Sequence, residues 1–334
     1  MGRWNWTWEE PRPAAPADAA PAPERAPVAG ASPEPLDEPS QASRTAFRRR
    51  RAGAAIVLLA FLALLIGALV RGGGHGAGRS AIDAHARSGH GAATPLSAAQ
   101  RQALSDQNEN RAIDRVLAYT PAITHGGDSG NEVALTFDDG PGPYTERLVE
   151  VLNSLHVQAT FFAIGEEERY FSGGTLLELH SGDVVGDHTE THPMMASLSR
   201  RDQHEELFEQ IARIELLGGP RPRLFRPPYG SFNATTFKEL HELRLLMVLW
   251  STDTADYTLP GAKAIVERAL AGAHPGAIIL MHDAGGDRSE TIAALPAIIA
   301  GLRKMGLRPV TVPRLMLDDP PPRGQPIPTS LAGD

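Results

Sequence analysis

Between residues 131 and 318, short apolar runs alternate with amphipathic stretches, and this alternation restricts the fold more than any other feature of the chain. Val133–Phe137, Ala159–Ile164, Asp183–Gly186, Arg223–Phe225, Leu245–Leu249, Ala277–Met281 and Arg308–Val312 read as buried strands. Thr145–Leu155, Ser199–Leu217, Thr235–Leu243, Ala262–Ala271 and Thr291–Lys304 carry helical spacing between them. A strand can reach a parallel neighbour only through a long crossover, so the repeated order implies an α/β domain with a parallel sheet and helices outside. Whether such a sheet closes into a barrel or stays open, ligands gather at the carboxyl ends of its strands.

The rest of the chain is of a different kind. Ala52–Val70 (AGAAIVLLAFLALLIGALV) is 19 residues with neither charge nor proline. As a helix rising 1.5 Å per residue it spans ~28 Å, close to the roughly 30 Å hydrocarbon core of a bilayer. It is therefore expected to be one transmembrane helix, in contact with lipid. Arg44 and Arg48 to Arg51 precede it, whereas only Arg71 and Arg79 follow closely. That bias puts residues 1–51 in the cytoplasm and everything after Val70 outside, on a single-pass protein of the cell membrane. Nine of the 28 prolines fall before residue 40, among Ala and acidic residues that cannot form a core, so 1–51 is expected to be a disordered tail. Residues 71–130 read as a flexible linker ending in a short lead-in helix at Asn110–Tyr119, and 319–334 as a second disordered, Pro-rich tail.

Two absences narrow the chemistry. The chain has no cysteine, which excludes a disulfide scaffold, a thiolate metal site and a cysteine nucleophile. Its net charge of −8 argues against a nucleic-acid partner, which would need a basic face.

Five polar clusters follow the expected strands. Asp138-Asp139-Gly140-Pro141 is equally a turn or a pair of acids dividing two roles, one on a cation and one on a proton. His188 and His192, four apart, would lie on one side of a single helical turn, where both imidazoles reach one ion. Pro193 stops any longer helix, and Glu190 falls one place too late for the H-E-x-x-H metalloprotease pattern. Arg226-Pro-Pro-Tyr229-Gly230 fixes the backbone and then frees it, so an amide there can be aimed at a ligand. Asp253-Thr-Ala-Asp256-Tyr257 reads alone as a loop. Leu280-Met-His282-Asp283 ends a buried strand on a natural general acid or base.

Taken in order, T-F-D-D-G-P, H-T-x-x-H, R-P-P-Y-G, D-x-x-D-Y and L-x-H-D resemble the motifs of the polysaccharide deacetylases, the NodB-homology group of carbohydrate esterase family 4. The resemblance covers roughly Glu132 to Pro313 and leaves the tails and the apolar segment outside. It implies a distorted (β/α)7-type barrel. It further implies one divalent metal on Asp139, His188 and His192, zinc first, with cobalt, nickel or manganese as alternatives. Asp138 would be the catalytic base, held ionised by Arg226, and His282 the catalytic acid, oriented by Asp256. The backbone N–H of Tyr229 would hold the oxyanion, Leu280 would line the pocket for the acetyl methyl, and Tyr229 and Tyr257 would border the substrate groove. Tyr257 replaces the family's usual Trp. Asp187 stands where Asn is common and is expected to add negative charge behind the metal. The implied reaction is metal-dependent hydrolysis of N-acetyl groups on N-acetylglucosamine residues of an envelope glycan, peptidoglycan before others, to acetate and free amine. The alternatives are a deacetylase or esterase for another acetylated glycan or a small amide, and a catalytically silent carbohydrate-binding module on the same fold.

Overall fold

The structure is a computed structural model and describes residues 97–326; the expected transmembrane helix 52–70, the tail before it, residues 71–96 and residues 327–334 lie outside the described residues. Among the described residues no helix is long and apolar enough to cross a membrane.

Nine short strands form one sheet: β1 (Ala122–Ile123), β2 (Glu132–Asp138), β3 (Thr160–Ala163), β4 (Val184–Asp187), β5 (Leu224–Phe225), β6 (Leu246–Val248), β7 (Thr252–Asp253), β8 (Ile278–His282) and β9 (Arg308–Val310). Their order is β1-β6-β5-β4-β3-β2-β8-β7, every ladder parallel, and β9 pairs with the first half of β2 while β3 pairs with its second half. The distorted barrel that the resemblance implies is a curled, open half-barrel. Its edges β1 and β7, two residues each, do not pair with each other, and a single antiparallel bridge between His125 and Ala277 ties the end of β1 to the start of β8.

The period of two along each strand divides the core. Val133, Leu135 and Phe137 of β2 and Ile279 and Met281 of β8 face outward onto α2 (Thr145–Ser154), α6 (Ala262–Ala271) and α7 (Ser289–Lys304). Ala134 of β2, Phe162 of β3 and Ile278 and Leu280 of β8 point into the curl, where they pack with residues of β5 and β6. Asp138 and His282 continue these inward-facing rows, so they too face the interior at its carboxyl rim.

Three helices depart from the sequence expectation. The lead-in helix α1 runs Ala98–Leu117, twelve residues earlier than expected at its start; among its described side chains the buried apolar ones, Ala112, Ile113 and Val116, fall in the last turns. A helix not anticipated, α3 (Gly165–Ser181), buries Gly165, Glu168, Gly174, Thr175 and Glu178, so it shows no apolar stripe. The last expected strand stops at Val310, and Thr311 caps a short helix α8 (Val312–Asp318) by accepting from the Arg314 amide. The remaining helices, α4 (Arg200–Leu216) and α5 (Ala234–Leu243), fall as expected.

The tail after Asp318 is not loose where it is described, which corrects the expectation of disorder from residue 319. The Asp319 carboxylate accepts from the Ser129 and Gly130 amides, the Tyr119 hydroxyl donates to the Pro321 carbonyl, and the Gln325 side chain donates to the His125 carbonyl.

Candidate active site

Strand register assembles the site. In the β2–β8 ladder Asp138 stands opposite His282, although 144 positions separate them, and neighbouring strands lie about 4.8 Å apart. Asp187 stands opposite both Ala163 and Phe225, which brings His188 beside Arg226 one residue beyond the ladder. All the sequence-predicted residues reach one end of the sheet.

Arg226 is the deepest of them and is fully buried. Its Nη1 donates to Asp138 Oδ1 at 2.7 Å and to Thr136 Oγ1 at 2.9 Å, while Nε and Nη2 donate to the Val248 and Leu249 carbonyls. The guanidinium also lies over the Phe162 ring, 4.2 Å from its centroid. Burial lowers its pKa and the Asp138 charge opposes that shift. Four hydrogen bonds hold this cation, so it aligns Asp138 without itself exchanging protons. Thr136, two residues before Asp138 on the same strand face, was not singled out by the sequence; only strand alternation hints at it.

The two histidines sit on an irregular loop, not on the expected helical turn. Thr189 and His192 have φ of 72° and 59°, and the loop turns its side chains to alternate sides. His188 and His192 point to Asp139, with Nε2 atoms 3.5 and 3.1 Å from its Oδ1. Glu190 points away and is clamped by Arg213 and Arg169. That explains why the acid between the histidines takes no part in the site.

The ring hydrogen bonds set the tautomer of His188. Its Nδ1 lies 2.7 Å from the Arg226 carbonyl, an acceptor only, so Nδ1 carries the proton and Nε2 presents its lone pair. His192 Nδ1 lies 3.1 Å from the Tyr229 hydroxyl, and the two rings meet edge to face. Tyr229 itself takes φ of 56° in the short 3₁₀ turn Pro228–Gly230. One ligand atom from each of Asp139, His188 and His192 lies within 4.8 Å of the others, and two imidazole nitrogens with one carboxylate oxygen suit zinc or a similar divalent cation. Burial pushes the Asp139 carboxyl up, but the neighbouring His188, His192 and His282 rings outweigh it and hold the group well below the usual carboxylate range.

Across the site His282 ends β8. Its Nδ1 donates to Asp256 Oδ1 at 2.7 Å, and Asp256 Oδ2 accepts from the His282 amide and from the Thr291 hydroxyl. Burial opposes the imidazolium, yet Asp256 and the more distant Asp139 and Asp138 overcome it and raise the pKa to about 9. Thr291, on α7, belongs to none of the five motifs. Tyr257 stands edge-on to His282 with ring centroids 5.4 Å apart, and is partly exposed at the rim, as is Tyr229. Leu280 is buried below His282 on the same strand face.

Two acids neighbour the site. Asp187 is buried and accepts one bond, from the Thr189 amide, and burial drives its pKa well above the usual carboxylate range. Asp283, next to His282, accepts from Thr145, and burial pushes its pKa up to about 7. It packs beneath the Gly140 backbone and supports the turn after Asp139.

The curled parallel sheet thus gathers paired acids, paired histidines and a His–Asp couple at its carboxyl rim. A family profile described as polysaccharide deacetylase matches residues 125–248. Over 190 residues the chain is 38% identical to a peptidoglycan-N-acetylglucosamine deacetylase of Bacillus cereus, a match covering 55% of this chain and 87% of that protein. Among solved structures, a peptidoglycan N-acetylglucosamine deacetylase in complex with 4-naphthalen-1-yl-N-oxidanyl-benzamide is 33% identical, with a TM-score of 0.58 over 60% of this chain and 94% of that one. A family 4 pseudoenzyme from Bacillus anthracis is 30% identical, with a TM-score of 0.56 over 59% of this chain and 69% of that one. The chain belongs to the polysaccharide deacetylases of carbohydrate esterase family 4.

Proposed function

We propose that this protein is a metal-dependent deacetylase that hydrolyses N-acetyl groups on N-acetylglucosamine residues of an envelope glycan, peptidoglycan before others, releasing acetate and a free amine. The observation that carries the reading is the convergence of a three-donor cluster, Asp139–His188–His192, with a carboxylate and an imidazole that belong to separate charged pairs. A divalent cation on the cluster, zinc for its nitrogen and oxygen preference, supplies positive charge that polarises the acetyl carbonyl.

The chain's own groups divide the remaining work. Asp138, its Oδ1 occupied by Arg226, accepts the proton of the attacking water at Oδ2. The Tyr229 backbone N–H donates to the developing oxyanion, an effect worth about 2.7–4 kcal/mol for a single well-placed donor. His282 gives its Nε2 proton to the departing nitrogen, because an amide anion cannot leave in water, and Asp256 keeps that ring oriented. Leu280 walls the space for the acetyl methyl, and Tyr229 and Tyr257 flank the sugar. No covalent intermediate is required, in accord with the absence of cysteine.

The reading extends to location. Ala52–Val70 would anchor the chain in the bilayer with residues 1–51 cytoplasmic, and the catalytic domain would work on the outer side within reach of the wall. A relative named as a pseudoenzyme makes a silent carbohydrate-binding module the second reading; against it stand the complete set of acid, base and ligand side chains. The test is acetate release from defined peptidoglycan fragments, chitooligosaccharides, acetylated xylan and small acetamides. Release from the wall fragments, lost on chelation and restored by zinc, is the expected result. Glycan binding without acetate would establish the silent module. Protease added to intact cells is expected to remove the domain and spare residues 1–51; the reverse pattern would invert the topology.

A further inference from the structure

The loop that joins β8 to α7, Ala284–Asp287, lies against the metal ligand Asp139. A Cβ added to Gly285 would sit 2.6 Å from Asp139 Oδ2 and 3.3 Å from its Cβ, so only a glycine backbone fits this approach. Gly285 and Gly286 have φ of 73° and 144°, a conformation that the sequence tolerates but does not by itself impose. What holds the loop is the next residue. Arg288 is buried, and its guanidinium donates to three loop carbonyls, from Nε to Ala284 at 2.6 Å, from Nη2 to Gly285 at 3.1 Å and from Nη1 to Asp287 at 3.3 Å. Among the described residues it makes no ion pair within 4.0 Å, in contrast to Arg226, which is paired with Asp138. A buried cation whose donors all serve one loop is a staple for that loop, and a fork of fixed geometry does what a single ammonium cannot.

The consequence falls on Asp139. With Gly285 against Oδ2, the carboxylate is left with Oδ1 turned to His188 and His192. We propose that Arg288 is a positioning residue that sets metal affinity: it fixes the Ala284–Asp287 loop, and through Gly285 it fixes the rotamer of Asp139. The inference rests on the metal site of the preceding reading. Arg288 touches neither the ligand cluster nor the substrate position, so it acts only through the loop.

The experiment measures zinc affinity of the metal-free full-length chain by chelator competition, with thermal melting of the same metal-free samples. Wild type, Arg288→Ala, Arg288→Lys and Gly285→Ala are compared, and kcat and KM are recorded for each. Binding by wild type is expected, weakened roughly 10- to 100-fold in Arg288→Ala and Gly285→Ala, the range found when an outer partner of a ligand is lost. Arg288→Lys should recover part of the affinity, and kcat should fall with KM little changed. Gly285→Ala decides the matter should Arg288→Ala fail to fold, because it disturbs Asp139 from the same side with the staple intact. Wild-type affinity in both variants overturns this inference alone, whatever their melting temperatures. Weak binding in Arg288→Ala with full affinity in Gly285→Ala also overturns it, since the route through Gly285 would be absent. No zinc binding by wild type would remove the metal site itself, and this inference with it.

Discussion

Two charged pairs face each other across the site, and they are built in opposite senses. In Arg226–Asp138 the cation is the fixed member: the guanidinium has its donors committed to Asp138, Thr136 and two carbonyls. In His282–Asp256 the carboxylate is fixed, with one oxygen on the ring and the other on a backbone amide and the Thr291 hydroxyl. An arginine does not release its proton at working pH, so the first pair can only take one up, at Asp138. An imidazolium does release its proton, so the second pair can deliver one, at His282. The difference supports the proposed roles of base and acid: in each pair the member that can exchange a proton is held by a partner that is itself immobilised.

The largest effect should come from removing the proton-exchanging members. Asp138→Asn and His282→Ala are each expected to lower kcat by about 10²–10⁴, the usual contribution of an acid–base partner, while zinc binding persists. Equal activity in either variant, measured by acetate release, would end the division of roles. Asp256→Asn comes next. It keeps the shape of the carboxylate but removes the charge that holds His282 protonated, so the alkaline limb of the pH–rate profile should move to lower pH. An unchanged limb would show that His282 is not the group being titrated.

A smaller effect appears in stability. The His282 pKa is raised above its ordinary 6.5 to about 9 in the metal-free fold. The pair therefore stabilises the native state fully below about pH 6.5, and this contribution is lost as pH rises through 9. Melting of metal-free wild type should fall across that window, and Asp256→Asn should flatten the fall. Smallest of all, Tyr257→Ala removes only a partly exposed ring beside His282; it should raise KM for oligomers several-fold and leave kcat near wild type. A loss in kcat instead would mean that the ring orients His282.

The legible parts of the sequence share a cause. Strands β2, β4, β5, β6 and β8 were visible because buried strands need short apolar runs, and the catalytic candidates were visible because polar residues immediately after such runs have no packing reason to be there. Helix α3 was invisible for the complementary reason. Its buried face is made of Gly165, Glu168, Gly174, Thr175 and Glu178, polar or small residues that pattern reading assigns to solvent. The start of α1 is hidden likewise, as none of residues 102–111 is buried.

The sequence by itself determined the α/β alternation, the strand ends that carry chemistry and the family to which they belong, since local period and residue type are properties of neighbouring positions. Only the tertiary structure decided that the sheet stays open, that the histidine loop turns Glu190 away, that Asp187 is buried, and that Thr136, Thr291 and Arg288 hold the site. Those outcomes depend on which side chains meet once the chain is folded and on how much water they lose there, and local residue type does not settle either: Thr136 meets Arg226 across 90 positions and Thr291 meets Asp256 across 35.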